Sequence, residues 1–274
     1  PAASSDVTSS PEGPGWVSLP LAMQGPGAVA WKLLTDAQCT EEQIDAVALL
    51  AESLERRFQK RSPDEQQKGP RLPVCKAAHN HRALWLGGGG VGKTRTLKKV
   101  VQPLAETFFG PHGYAASAQS NHAAQNLGNR GRTLHSSNAL LMTDSLKTAR
   151  LRLNAESQKK LDRSLAELGV DVTDEVGAVP AELLHADALR KTYGRALRFK
   201  LDATRYMLPQ ETWGRMAAKI LCGDFLQLPP VPSTASLLAD DHQQSYEWRQ
   251  GRKLLMDVEH VIDFRQMQRF NDPL

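Results

Sequence analysis

Apolar and polar residues follow helical and strand-like patterns from about residue 40 onward. Thr40 has capping-box spacing to Gln43, and apolar residues then recur at helical intervals: Ile44, Val47, Ala48, Leu50, Ala51 and Leu54. This pattern predicts a helix from about residue 41 to 59. Residues 1 to 30 are rich in Ala, Ser, Pro and Gly without an apolar period, which is typical of disorder. We therefore expect a disordered tail over residues 1–35 and one folded domain over 36–274.

Short apolar runs predict buried strands at residues 82–86, 114–118, 170–173 and 219–222. Residues 94–109 suit a helix, which we expect Pro103 to bend or interrupt and the glycines of 110–113 to end. Residues 140–168 contain good helix formers and many cations, which predicts a long basic helix or helical pair whose cations form a solvated face. Alternating strands and helices indicate an α/β fold, with a mostly parallel sheet covered by helices.

Composition is that of an ordinary globular chain of 274 residues, 41% of them hydrophobic. It contains neither an apolar stretch of bilayer-spanning length nor a secretory signal pattern, so we expect an intracellular protein without membrane contact. Cys39, Cys75 and Cys222 are widely spaced, which favours neither disulfides nor zinc. A pI near 9.0 makes an acidic polymer a plausible partner. The terminal residues, Pro1 and Leu274, suggest a fragment.

A glycine-rich loop after the first predicted strand carries the clearest chemistry. Its spacing is Gly-x-x-x-x-Gly-Lys-Thr, the P-loop pattern, in which backbone N–H groups cradle phosphates at a helix N-terminus. Lys93 is expected to neutralise the β- and γ-phosphate oxygens, and the Thr94 hydroxyl to ligate Mg²⁺. The predicted nucleotide-binding residues of this loop are Gly87, Gly88, Gly89, Gly90, Val91, Gly92, Lys93, Thr94 and Arg95.

A P-loop site also needs a carboxylate for the metal and a group that positions water. Asp174, at the end of a predicted strand, is the candidate metal ligand, and Glu175 is the candidate catalytic base. Asp224 ends a more apolar strand and is the alternative for the metal. Gln227, three residues later, is expected to sense the γ-phosphate.

Several motifs in this order resemble the PIF-type DNA helicases of superfamily 1B, which are related to RecD-like helicases. The resemblance spans about residues 40–274 and rests on five segments: 87–94, 174–177, 223–231, 114–124 and 131–136. It departs from the family at Gly177, where Ser is usual, and at the polar Asp171 and Thr173 that precede the acidic pair.

The resemblance implies further roles. It places Gln43 as an adenine-reading residue and Arg269 as a phosphate-contacting arginine, with Arg265 as a competitor. It places Ser117, Asn121, Thr133 and His135 on the path of DNA. Residues 190–219 interleave cations with aromatic residues, a composition that suits single-strand binding, although some of these aromatic residues are expected in the core.

The implied protein is the first RecA-like motor domain of an ATP-dependent DNA helicase. It would use ATP and Mg²⁺ to move 5′ to 3′ on single strands and open duplex junctions, in DNA repair, recombination or telomere maintenance, in nucleus or mitochondrion. A second motor domain is expected to be missing. Two alternatives remain open: a P-loop NTPase with no nucleic-acid track, and a non-catalytic module that binds ATP or DNA without turnover.

Overall fold

The computed structural model describes residues 24–67, 69–75, 80–129, 131–140, 155–202, 211–227, 229–230, 235–240 and 244–268. Residues 1–23 of the predicted tail, residues 141–154 of the predicted basic helix, and Arg269 lie outside the described residues.

A six-stranded sheet of order β3-β2-β4-β5-β1-β6 forms the centre of the molecule, and its strand pairs are parallel. The strands are β1 His81–Leu86, β2 Tyr114–Ala118, β3 Gly131–Thr133, β4 Val170–Asp174, β5 Ala218–Gly223 and β6 His260–Asp263. The four strands predicted from apolar runs are all present, and the predicted α/β fold is confirmed. The two edge strands, β3 and β6, are short and carry exposed residues, and for this reason lacked a clear apolar signal.

Helices cover both faces of this sheet. They are α1 Pro26–Asp36, α2 Glu41–Gln59, α3 Pro63–Gln67, α4 Lys93–Thr96, α5 Gln102–Phe109, α6 Asn121–Asn126, α7 Leu134–Ser137, α8 Ala155–Leu165, α9 Ala181–Phe199 and α10 Tyr246–Met256. One apolar core lies between the sheet and α1, α2 and α5, and contains Leu50 and Leu104. The other lies on the opposite face, beneath α8, α9 and α10, and contains Leu184 and Trp248.

The expectation of a disordered tail through residue 35 is wrong for its last part. Pro26 stands in the first turn of helix α1, where a missing N–H costs nothing. Val29, Ala30 and Leu34 are buried against the core that α2 and α5 share. The apolar period of α1 is short and follows a Pro- and Gly-rich stretch. The composition of that stretch therefore predicted disorder where the structure has a helix.

The helix after the P-loop is neither ended nor interrupted at Pro103. Between α4 and α5 the backbone takes π-helical form over Leu97–Val101, and the N–H of Gln102 bonds to the carbonyl of Leu97. The wider turn precedes Pro103, which lacks an N–H of its own. The helix therefore continues to Phe109, and Gly110 ends it as predicted.

Candidate functional site

The loop between β1 and α4 has the backbone conformation that its glycines predict. Gly87, Gly90 and Gly92 have φ values of 138°, 92° and 87°, a region that side chains disfavour. A Cβ atom at Gly87 would also collide with the carbonyl oxygen of Phe264. The loop thus reaches the N-terminus of α4 with its backbone exposed to an approaching ligand.

Lys93 is the first residue of α4, and its side chain returns over the loop. Its ammonium group donates to the carbonyl oxygens of Gly87 and Gly88, at 3.0 Å for Gly88. The positive charge is therefore held at the mouth of the loop, where phosphate oxygens would replace the carbonyls as acceptors.

Thr94, in the first turn of α4, and Asp174, the last residue of β4, meet beside Lys93. The Thr94 side chain is hydrogen-bonded to the Asp174 carboxylate. Burial raises the pKa of Asp174, and the Glu175 N–H, the charge of Lys93 and the Thr94 bond oppose that rise. A hydroxyl and a carboxylate oxygen side by side are ligands that Mg²⁺ accepts together with phosphates and water.

Glu175 follows Asp174 in a left-handed backbone conformation, with φ 55° and ψ 40°. Such a conformation is uncommon for a residue with a side chain and is concentrated at functional sites. The Ser120 hydroxyl lies 3.5 Å from a Glu175 carboxylate oxygen. Burial, followed by the charge of Asp174, raises the pKa of Glu175. The half-buried carboxylate is thus placed to accept a proton or orient water.

The turn after β5 brings the second acidic candidate to the same place. The Asp224 carboxylate accepts from the N–H of Leu226 at 2.9 Å, and its carbonyl accepts from the N–H of Gln227 at 3.3 Å. Asp224 therefore orders the turn from which the exposed Gln227 projects. The usual Ser at position 177 would require this turn to shift, because a Cβ atom on Gly177 would lie 2.6 Å from the Asp224 carbonyl oxygen.

A cavity of about 560 Å³ unites these groups at the carboxyl edge of the sheet. Its walls include the predicted residues Gly88 to Arg95, Asp174, Glu175, Asp224 and Gln227. They also include polar residues that the sequence did not assign to the nucleotide site: Gln38, Thr40, Asn126, Gln266 and Gln268. The Gln268 N–H donates to the Gly90 carbonyl at 3.0 Å, so this segment lies directly on the loop. The only sequence signal for Gln268 was its position beside Arg269.

Gln43 does not face this cavity, which corrects the adenine-reading assignment. Its side chain is fully buried; the amide nitrogen donates to the Val91 carbonyl at 3.1 Å, and the oxygen accepts from the Thr40 N–H at 3.2 Å. The amide therefore ties the start of α2 to the back of the P-loop. The capping-box spacing of Thr40 and Gln43 was the signal for this role.

Of the two candidate phosphate-contacting arginines, the structure describes only Arg265. Arg269 lies outside the described residues. Arg265 is exposed, and its guanidinium donates to Asp263 at 2.8 Å. The backbone N–H groups of Arg265 and Gln266 donate to the Glu42 carboxylate at 2.9 and 3.0 Å. Glu42 thereby fixes the segment that leads from β6 to the cavity.

Three of the four predicted DNA contacts lie at the carboxyl ends of β2 and β3. Asn121 is exposed at the start of α6, Thr133 caps α7 by accepting from the Ser136 N–H at 3.2 Å, and His135 is half-buried. Ser117 is different, because it is 2% exposed and its hydroxyl donates to the Val172 carbonyl at 3.2 Å. The structure therefore makes Ser117 a core residue, which corrects that assignment.

Much of the basic and aromatic stretch over residues 190–219 is also in the core. The ammonium groups of Lys191 and Lys219 pair with the buried carboxylates of Asp171 and Asp187. Arg195 is fully buried and donates to backbone carbonyls, including that of Gly214 at 2.8 Å. These cations are structural, and the network explains why the polar Asp171 precedes the acidic pair in β4.

No helix in the described part of the chain is long and apolar enough to cross a membrane.

Known proteins match the part of the chain that contains these motifs. Residues 71–272 match the family model described as PIF1-like helicase. Over 216 residues the chain is 27% identical to the ATP-dependent DNA helicase PIF1 of Saccharomyces cerevisiae strain YJM789, covering 74% of this chain and 23% of the yeast protein. The chain thus spans about a quarter of that relative's length.

Solved structures of Pif1 helicases match most of this chain. One comes from work on DNA unwinding at forked double-stranded DNA by two coordinating Pif1 helicases. It has a TM-score of 0.50 and 18% identity, covering 86% of this chain and 45% of that one. The Pif1 helicase of Candida albicans has a TM-score of 0.46 and 24% identity, covering 69% of this chain and 37% of its own.

Proposed function

Because the chain belongs to the PIF1-like helicase family, we propose that it binds and hydrolyses ATP as the motor domain of an ATP-dependent DNA helicase. The observation that carries the proposal is the convergence of Lys93, Thr94, Asp174 and Glu175 on one cavity at the carboxyl edge of a parallel sheet. Ligands of open α/β sheets bind at this edge.

The residues at this edge fit a nucleotide triphosphate with its metal. Backbone N–H groups of residues 88–93 would hold the phosphates, and Lys93 would neutralise their oxygens. Thr94 and Asp174 would hold Mg²⁺, directly or through water, and the metal would supply charge neutralisation at the terminal phosphates. Glu175 would orient the attacking water, while Gln227, with Arg269 or Arg265, would register the γ-phosphate.

DNA would lie over Asn121, Thr133 and His135. The Ser120–Glu175 contact supports coupling to the nucleotide, because Ser120 caps the helix that begins with Asn121. We propose single-stranded DNA and duplex junctions as partners and 5′ to 3′ movement as the output. Repair, recombination or telomere maintenance, in nucleus or mitochondrion, are the proposed settings, and all of them rest on the family resemblance.

The test is Mg²⁺-dependent ATP hydrolysis with and without oligo-dT, on this chain and on Lys93→Ala, with binding of ATP and of oligo-dT recorded in parallel. We expect stimulation by oligo-dT and a loss of about 10²-fold or more in the variant. Absence of both ATP and oligo-dT binding in the unaltered chain would overturn the proposal.

A second candidate function is nucleotide and DNA binding without turnover. Helicases of the type that this chain resembles bind ATP in the cleft between two RecA-like domains. The exposure of Gln227 at the rim of the cavity favours a site that needs a second surface for hydrolysis. Binding of both ligands with no hydrolysis would identify this function.

A further inference from the structure

A second cavity, of about 740 Å³, lies against β2 and β3 on the α8 side of the sheet. None of the P-loop residues lines it. Its floor includes Ala115 and the buried Ser117 of β2, whose hydroxyl is already bonded to the Val172 carbonyl, and its wall is the polar side of α8. This groove is therefore separate from the nucleotide cavity.

Cations of α8 form a stripe along the groove. Lys159, Lys160 and Arg163 are spaced as i, i+1 and i+4, so they share one side of the helix, and all three are exposed. Burial of Leu161 and Leu165 in the core fixes the orientation of this side.

Arg132 supplies a fourth cation from the edge strand β3. It is exposed, lines the groove, and pairs in register with Ser117 of β2. Arg132 directly precedes Thr133, which begins the segment expected to contact DNA. The groove therefore reaches to within one residue of Thr133 along the chain, and Thr133 itself does not line it.

The charge of the groove is not balanced within the described residues. Among them, Arg132, Lys159, Lys160 and Arg163 form no ion pair, whereas exposed arginines elsewhere do, as Arg56 does with Glu52. Two carboxylates line the groove, those of Glu156 and Asp171, and the buried lysines already neutralise Asp171. The groove therefore has an excess of positive charge.

We propose that this groove binds the phosphodiester backbone of single-stranded nucleic acid, as an extension of the strand site at Thr133. The inference rests on the proposed function, since it continues the path assigned to the strand. Charge complementarity favours a polyanion, and the position of Arg132 next to Thr133 favours the same strand. The ring of Tyr114, which lines the groove, is buried. The exposed cations contact phosphates, so we expect binding here to be independent of sequence.

The experiment measures oligo-dT binding by fluorescence anisotropy over a range of salt concentrations, with the full chain. The test variant carries Lys159→Gln, Lys160→Gln and Arg163→Gln. A matched control carries Lys32→Gln, Lys99→Gln and Lys253→Gln, which removes the same charge from exposed positions outside the groove. Circular dichroism and ATP binding verify that both variants fold.

In the test variant we expect weaker binding of long oligo-dT and a salt dependence shallower by about 2 in log–log slope, at about 0.7 per cation for single strands. The control should keep the slope of the unaltered chain. An unchanged slope in the test variant, or an equal change in both variants, would overturn nucleic-acid binding by the groove but leave the proposed function standing. No binding of oligo-dT by the unaltered chain would overturn both.

Discussion

A Cβ atom on Gly177 would lie 2.6 Å from the carbonyl oxygen of Asp224, so the loops after β4 and β5 touch through their backbones. Glu175 precedes the first contact point, and Gln227 follows the second. The distance between the candidate base and the candidate γ-phosphate sensor thus depends on a residue without a side chain.

Gly177→Ser, which installs the residue usual in the resembling family, is therefore expected to force these loops apart. We expect a loss of about 1–3 kcal/mol in the free energy of unfolding, as for overpacking, and slower ATP turnover. Urea unfolding gives the first quantity. Gly27→Ser is the matched control, because its Cβ would meet Glu55 at an ordinary 3.7 Å. Equal stability of the two variants would contradict the close contact.

Gln43→Ala is expected to weaken the binding of ATP and GTP to the same extent. The reason is that Gln43 supports the back of the P-loop through the Val91 carbonyl and does not reach the cavity. Titration with fluorescent analogues of both nucleotides provides the measurement, and Gln38→Ala, which alters a cavity wall, provides the comparison. A loss confined to ATP in Gln43→Ala would restore the adenine-reading role.

Asp187→Ala is expected to destabilise the fold by about 3–5 kcal/mol, since removing one partner of a buried ion pair leaves the other charge uncompensated. Asp187 is fully buried and pairs with Lys191 and Lys219. Urea unfolding of this variant is compared with Asp240→Ala, whose carboxylate is exposed. If both substitutions cost the same, the network does not stabilise the domain.

Burial should make His81 a source of acid sensitivity. It lowers the pKa of His81 from 6.5 to about 3, so below pH 6.5 the unfolded chain binds a proton that the folded chain does not. The contribution of His81 to the free energy of unfolding is fully present above pH 6.5. It falls by up to about 1.4 kcal/mol per pH unit as the pH drops toward 3. His81→Phe should flatten this dependence in urea unfolding at pH 7 and 5. The exposed His112→Phe should not.

The core strands and the P-loop could be predicted from sequence because their signals are local. Apolar runs identify β1 and β5, and the glycine spacing identifies the loop that precedes Lys93. Helix α1 was missed because its four buried residues stand in a Pro- and Gly-rich segment. Their burial offsets the entropy of ordering that segment only when another surface covers them. That surface is formed by α2, which follows α1 directly, and by α5, which begins only at Gln102.

The sequence by itself determined the positions of β1, β2, β4 and β5 and the identity of the phosphate loop, because glycine conformation and apolar period act within a few residues. Tertiary structure decided which polar residues face inward. Lys191 and Lys219 are separated from Asp171 by 20 and 48 residues, and only strand pairing and helix packing bring the three together. Ser117 and Gln43 became core residues for the same reason: a buried polar group must be satisfied by whichever backbone the fold places beside it.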